Sequence, residues 1–345
     1  MEGKPLGLHT YLYRESAKFS LPRTVRPGLV RGMRSIPVRS GGWSYRRRRW
    51  RRGRRGVVSV VGAILSLLFF YALFGIFLTQ YLPLWMSENE SAFSSQAQAS
   101  MATLKSNVDL QAALGNPPIY STPFVLSSQG VPLIAQPTPG IIAFSPVAAG
   151  IFASFSVIPG PAGQSSFVQN VSLGTLTLTL PNRYFPAQTF QMADDGVVQS
   201  QGAGSQVLAF PPLLAINSSG SQVGVSMALV QLYGNATSQT SPGSIEVYSH
   251  FLYSNVVPIS AASISATVQL GTAYPCAWWN FLHQTQLAAQ MSGVAAGVIT
   301  LAPNSSPCTA ATGSAPVMLT LTFVGLTSLT IIEAGVSLVI GVGQE

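Results

Sequence analysis

The chain has 345 residues, only 8% of them charged, yet it carries a net charge of +8. Its basic residues do not coat one surface: sixteen of the eighteen Lys and Arg precede Val57, which puts +14 in front and −6 behind. A sequence pI of about 9.8 is therefore no sign of a nucleic-acid-binding domain, and no nucleic-acid partner is expected.

Residues 1–45 are rich in Arg, Ser, Pro and Gly without sustained periodicity, which reads as a disordered cytoplasmic arm. Tyr11, Tyr13, Trp43, Tyr45 and Trp50 interleave with its arginines, a mix suited to stacking on bases or lying among lipid headgroups. A topogenic cluster held against anionic lipid is the simpler account. Residues 46–55 then hold eight arginines, and residues 57–82 are almost continuously apolar. At about 1.5 Å per helical residue that run is roughly 39 Å long, more than a hydrocarbon core of about 30 Å requires. A buried helix of a soluble protein is not apolar on every face for that length. It reads as a membrane span with lipid as its partner. The arginine flank places the N-terminus in the cytoplasm and the body outside the cell membrane.

Pro83 should end or kink the membrane helix, because proline lacks the amide donor and clashes with the preceding turn. Helical periodicity then resumes: Phe93, Ala97, Met101, Leu104, Val108 and Ala112 fall at three- and four-residue steps, one apolar stripe on a polar helix. Gly115 followed by Pro117 and Pro118 stops it. From 119 to 163 the chain reads as loops and short strands.

Beyond Val171 a two-residue period dominates. Leu176, Leu178 and Leu180 define a first strand; Val223, Val225, Met227 and Leu229 a second; Ile245, Val247, Phe251 and Tyr253 a third. Ile264 to Leu270, Val317 to Phe323 and Val336 to Val342 supply three more, separated by turn chemistry such as Asp194-Asp195-Gly196, Ser218-Ser219-Gly220 and Ser241-Pro242-Gly243. One helix near 278–292 interrupts them, with Trp278, Phe281, Leu282, Thr285 and Ala289 on one face. The expected fold is α+β. A long N-terminal helix, half membrane and half amphipathic, leads into an antiparallel β-sandwich-like extracellular head. The expected segments are an arm or leader at 1–55, the transmembrane helix at 56–82, the stem at 83–115 and the head at 116–345.

Two features fit an exported head. Its only cysteines, Cys276 and Cys308, are spaced to close a disulfide loop, worth about 3–4 kcal/mol in the loop-entropy model. Asn-x-Ser/Thr triplets at Asn89, Asn170, Asn217, Asn235 and Asn304, candidate glycosylation sites, all lie behind the span. The chain carries no G-x-S-x-G, H-E-x-x-H, C-x-x-C, Walker A or G-x-G-x-x-G motif. His250 shares a strand face with Glu246 and Tyr248, which reads as a solvated face, and His283 is similar. Asp194-Asp195 reads as a turn, not a calcium loop, and Trp278 and Trp279 as packing residues. No catalytic residue, metal or cofactor is expected. Ten charged residues in the 262 from Leu84 onward leave little to titrate, a composition suited to an acidic outer medium.

Three export signals meet at residues 54–99. Arg54-Arg55 resembles a twin-arginine pattern, but the segment after it is too long and apolar; Ala97-Gln98-Ala99 resembles a signal-peptidase site at the wrong spacing. Arg55-Gly56 immediately before an unbroken apolar helix resembles the class III signal of archaeal type IV pilins and archaellins. That resemblance implies a prepilin peptidase as partner, cutting between Gly56 and Val57. It also implies a helical stem that packs on a β-rich head and assembles with like subunits. The segments around Pro83-Leu84-Trp85 with Glu88 to Glu90, Asn182-Arg183-Tyr184, Asp195 to Val198, Phe210-Pro211-Pro212 and Val230 to Asn235 resemble archaeal surface proteins with pilin-like N-termini. A 56-residue leader is long for that family, and Val61 stands where bacterial pilins carry glutamate. The leading expectation is thus a non-enzymatic pilin-like surface protein, either a filament subunit or a permanent anchor. A single-pass anchored receptor or adhesin head is the alternative. An exported hydrolase using Glu246 or Asp194 and Asp195 is the third reading.

Overall fold

A computed structural model describes residues 55–115, 117–131, 134–147, 152–159, 167–172, 174–202, 205–219, 222–309 and 316–341. The basic arm expected at 1–55 lies outside these residues except for Arg55. The chain divides into two compact units, Met1–Val61 and Gly62–Glu345, and only the opening turns of a helix are described in the first.

Helix α1 spans Arg55–Ile76, a π-helical turn spans Phe77–Tyr81, and α2 spans Leu82–Leu114. The expected break at Pro83 is thus a widened turn through which the helix continues. The Leu82 N–H donates to the carbonyl of Phe77, five residues back. That extra residue relieves the crowding that the proline ring would otherwise force on the preceding turn. The α1 half is apolar and exposed on every side: its most hydrophobic window has a mean hydropathy of 2.5 and none of it is buried. By length and composition it is able to cross a membrane. The α2 half carries the stripe expected of it, with Phe93, Ala97, Met101, Leu104, Val108 and Ala112 all buried. It ends at Gly115, whose φ of 71° is open to glycine at little cost.

Fourteen strands follow among the described residues. They are β1 (Tyr120–Val125), β2 (Ile141–Ser145), β3 (Phe152–Pro159), β4 (Phe167–Ser172), β5 (Thr175–Leu180), β6 (Gln188–Ala193) and β7 (Gly196–Gln201). After these come β8 (Ser205–Phe210), β9 (Leu214–Ser219), β10 (Gln222–Tyr233), β11 (Thr237–Thr240), β12 (Ser244–Thr272), β13 (Ile299–Ala302) and β14 (Val317–Ile340). Helix α3 (Pro275–Met291) separates β12 from β13. The segment 119–163, expected to hold loops and short strands, contributes β1, β2 and β3 to the two sheets.

One sheet runs β4, β3, β12, β14, β10, β9, with β1 also on β12 and β13 also on β14; the other runs β11, β2, β5, β6, β7, β8. The second sheet is antiparallel, but the first is mixed, which corrects the wholly antiparallel expectation. β10 and β14 run parallel, Gly224 facing Ser328 and Tyr233 facing Ser337. Parallel neighbours need a crossover in place of a hairpin, and here β11, β12, α3 and β13 lie between them in sequence. A second correction concerns strand number. The alternating sets 245–253 and 264–270 belong to one 29-residue strand, β12, and the last two sets to the 24-residue β14, except Val342, which lies outside the described residues. Register shifts between Phe251 and Tyr253 and again between Ser260 and Ala266 let pairing continue while the face parity changes. In sequence that change looks like a strand end.

The long strands serve two cores. One gathers the α2 stripe with Leu176, Leu178, Phe190, Val336 and Leu338. The other gathers Trp278, Trp279 and Leu282 of α3 with Phe155, Phe323 and Leu329. Burying each large apolar side chain contributes about 1.5–3 kcal/mol, which is what holds the otherwise polar α2 in place.

Candidate functional site

The densest polar chemistry lies where α2 meets the head. Glu90 is fully buried, and its carboxylate accepts the main-chain N–H groups of Arg183, Tyr184 and Phe185 at 2.7–3.0 Å and the Thr138 hydroxyl at 3.0 Å. The Ser94 hydroxyl donates to Gln188. Farther along, Lys105, also buried, pairs with Asp109 one turn on and with Asp195 at 3.0 Å. Helix positions 90, 94 and 105 thus match 183–185, 188 and 195 in order, so β6 runs beside α2 in the same direction. β1 runs against it: Gln111 donates to the Pro118 carbonyl at 3.3 Å, Asn107 to Thr122 at 3.0 Å, and Ser100 to the Pro123 carbonyl at 2.8 Å. Asn89 then donates to the Gln129 carbonyl at 3.0 Å. The β5–β6 loop and the loop after β1 therefore both lie at the end of the head nearest Tyr81.

Asp194 and Asp195 form the two-residue turn between β6 and β7, with φ of 49° and 57°. Two positive φ values suit an Asx pair in a hairpin turn, so the expected turn is present, with Asp195 buried and Asp194 half-buried. Asp195 accepts the Leu213 N–H at 3.1 Å beside Lys105. Burial pushes its carboxyl up to about 8, against the pull of Lys105 and with help from neighbouring Asp109. Burial alone pushes Asp194 to about 7. Its Oδ1 has no hydrogen-bond partner and it lines a cavity of about 50 Å³ with Phe155, Trp278, Phe281 and Leu282.

The other candidates are dispersed. Arg55, Gly56 and Val57 open helix α1. Cys276 and Cys308 form a disulfide with Cα atoms 4.5 Å apart, tying the first turn of α3 to the 3₁₀ turn Pro307–Thr309 ahead of β14. Asn217, Asn235 and Asn304 are exposed, Asn89 is half-buried with its amide bonded to Gln129, and Asn170 lies in β4. His250 is exposed on β12, and nearby Glu246 accepts the Ser121 hydroxyl. His283 stacks on Trp279 at 4.6 Å, and the Trp279 indole donates to the Pro303 carbonyl at 2.8 Å. Trp278 lies in the core as expected. Among the described residues no three His, Cys, Asp or Glu side chains gather as a metal site.

Sequence reasoning placed Glu90 in the stem resemblance without a buried role and gave Lys105 no role. A signal for both existed: Glu90 continues the stripe three residues before Phe93, and Lys105 sits four after Met101. A charge on the apolar stripe of so sparsely charged a chain marks a buried partner.

A scan against protein-family models, a search of curated proteins and a search of solved structures each return no match for this chain.

Proposed function

We propose that this is a non-enzymatic, pilin-like archaeal cell-surface protein, anchored by its one N-terminal helix. Its two sheets pack as a sandwich-like head outside the cell membrane, with the arginine-rich arm in the cytoplasm. The observation that carries the reading is the division of one continuous helix: an exposed apolar half, then a half buried along a stripe in the head. That is the layout of a pilin stem. It serves equally as a lipid anchor and as the seam through which like subunits assemble. The Cys276–Cys308 disulfide supports an oxidising, extracellular setting for the head, where exposed Asn217, Asn235 and Asn304 are open to glycosylation. Prepilin peptidase acts between Gly56 and Val57.

N-terminal sequencing of the mature protein tests this. A chain beginning at Val57, with filaments in sheared surface preparations, supports the filament subunit; one beginning near Met1 removes the cleaved-pilin route and leaves the permanent anchor. An adhesin reading draws on a different observation. A surface groove of about 260 Å³ is lined by Asn217, Gln222, Ser226, Thr327, Ser328 and Thr330, whose hydroxyls and amides suit a neutral polar polymer.

A further inference from the structure

We propose that the β5–β6 loop is a lipid-headgroup contact site: Arg183 pairs with the phosphate of an anionic lipid, and Tyr184 sits among the headgroups. The site rests on the reading that α1 spans a membrane, and it makes the head lie on that membrane instead of standing clear of it.

Depth is the first argument. Tyr81 and Trp85 close the apolar run and are 61% and 53% exposed; such side chains favour the membrane–water interface. Glu90 follows Trp85 by five residues, about 8 Å along the helix axis. The headgroup layer adds about 5–8 Å outside the hydrocarbon core on each side. Glu90 binds the main chain of Arg183, Tyr184 and Phe185 directly, so the loop is fixed at the outer edge of that layer. The order of contacts along α2 puts the tip of the β5–β6 loop on the side of the head facing the span.

Charge is the second. Behind the arginine cluster the sequence holds two basic residues, Lys105 and Arg183. Lys105 is buried between two aspartates, whereas Arg183 is exposed. The single exposed cation of the head therefore stands at its membrane end. The neighbouring loops share its character. The turn at 240–243 is tied to the segment after β1 by the Leu126 N–H on the Gly243 carbonyl at 2.9 Å and by the Ser127 hydroxyl on the Pro242 carbonyl at 2.6 Å. None of the segments 126–140, 181–187 and 240–243 contains an acid, and the exposed acid at this depth is Glu88 on α2.

The test uses the full chain in phosphatidylcholine vesicles with and without phosphatidylglycerol. The native cysteines are paired, so an introduced cysteine is the one free thiol for a fluorophore. Tyr184→Cys reports the loop, with Ala187→Cys as a second position should the first misfold. Met291→Cys, 84% exposed on α3, reports the head away from α2, and Phe70→Cys reports the span. Nitroxide quenchers are placed on either headgroup or deep on an acyl chain. The expected result is headgroup quenching at 184 or 187 and none at 291. The phosphatidylglycerol quencher should be favoured about fivefold, the worth of one basic residue at an anionic surface, with the preference falling to parity in Arg183→Gln. Quenching at 70 by the acyl nitroxide with silence at 184 and 187 overturns the site and leaves the span standing. Silence at 70 removes both. Equal quenching by the two headgroups in the unsubstituted background overturns the role given to Arg183.

Discussion

The two halves of the N-terminal helix share one backbone and follow opposite rules. In α1, Leu65 is 61% exposed and Phe69 67%; in α2, Met101 and Leu104 are not exposed at all. The hydroxyls of Ser66 and Thr79 donate back to Gly62 and Gly75, each at 2.9 Å, so these two polar groups are satisfied within their own helix. The striped half also sends polar groups outward. Glu90, Lys105 and Gln111 reach out to the head, and each is buried in doing so. A helix surrounded by lipid needs no particular partner, so its faces are alike. A helix packed on protein needs one face matched to one surface, and there a buried charge fixes which surface it is.

The largest expected effect separates these halves by pH. An unfolded aspartate ionises near 3.8, whereas folded Asp194 does so near 7 and Asp195 near 8. The folded head holds these protons more tightly, so their contribution is full below 3.8 and is lost as pH rises through 7 to 8. Asp194 alone accounts for about 4 kcal/mol over that window. Urea unfolding of the full chain in detergent, followed by near-ultraviolet circular dichroism, should show a midpoint that falls from pH 4 to pH 8. Asp194→Asn, which keeps the left-handed turn, should reduce that slope by roughly two fifths and leave the Asp195 part, while the helicity of α1 stays constant. A midpoint flat or rising between pH 4 and 8 would remove the contrast. The direction agrees with the acid-suited composition of the head.

Next in size is Lys105→Ala, whose cost should grow above pH 8, where Asp195 ionises, towards about 3–4 kcal/mol, because it leaves that carboxylate buried without its cation. Without Lys105 the Asp195 carboxyl moves higher still, so the loss should shrink towards pH 4, where that carboxyl is protonated with or without the lysine. The same unfolding series reads this out, and a loss independent of pH would assign Lys105 to packing alone. The smallest effects sharpen the comparison most directly. Met101→Ala should cost about 3 kcal/mol by opening a cavity in the stem-side core. Leu68→Ala, a comparable deletion on an exposed face, should change head stability by less than about 0.5 kcal/mol. Equal losses would mean that α1 is also packed on protein.

Much of this was legible in order of residues alone. The apolar helix of span length, the six stripe positions on α2, the Gly115 cap, the α3 face and the cysteine pair all follow from local rules of period, length and spacing, which a single segment carries by itself. The strand alternation was legible too, but not the identity of the strands. Bulges in β12 made one long strand read as two, because parity is local whereas pairing is set by a neighbour distant in sequence. The parallel β10–β14 pair was hidden for the same reason.

The buried Glu90 and Lys105 contacts were the least legible part. Nothing near Glu90 in sequence supplies its three N–H donors, which come from residues about ninety positions later, and Lys105 finds Asp195 across an equal distance. The sequence by itself determined which helix faces are apolar and where the chain turns, since those depend on side-chain type and spacing. Only the tertiary structure decided which charges are buried, where the β5–β6 loop is held and which end of the head adjoins the apolar half of the helix. Burial and hydrogen bonding belong to pairs of surfaces, and those exist only once the chain has folded.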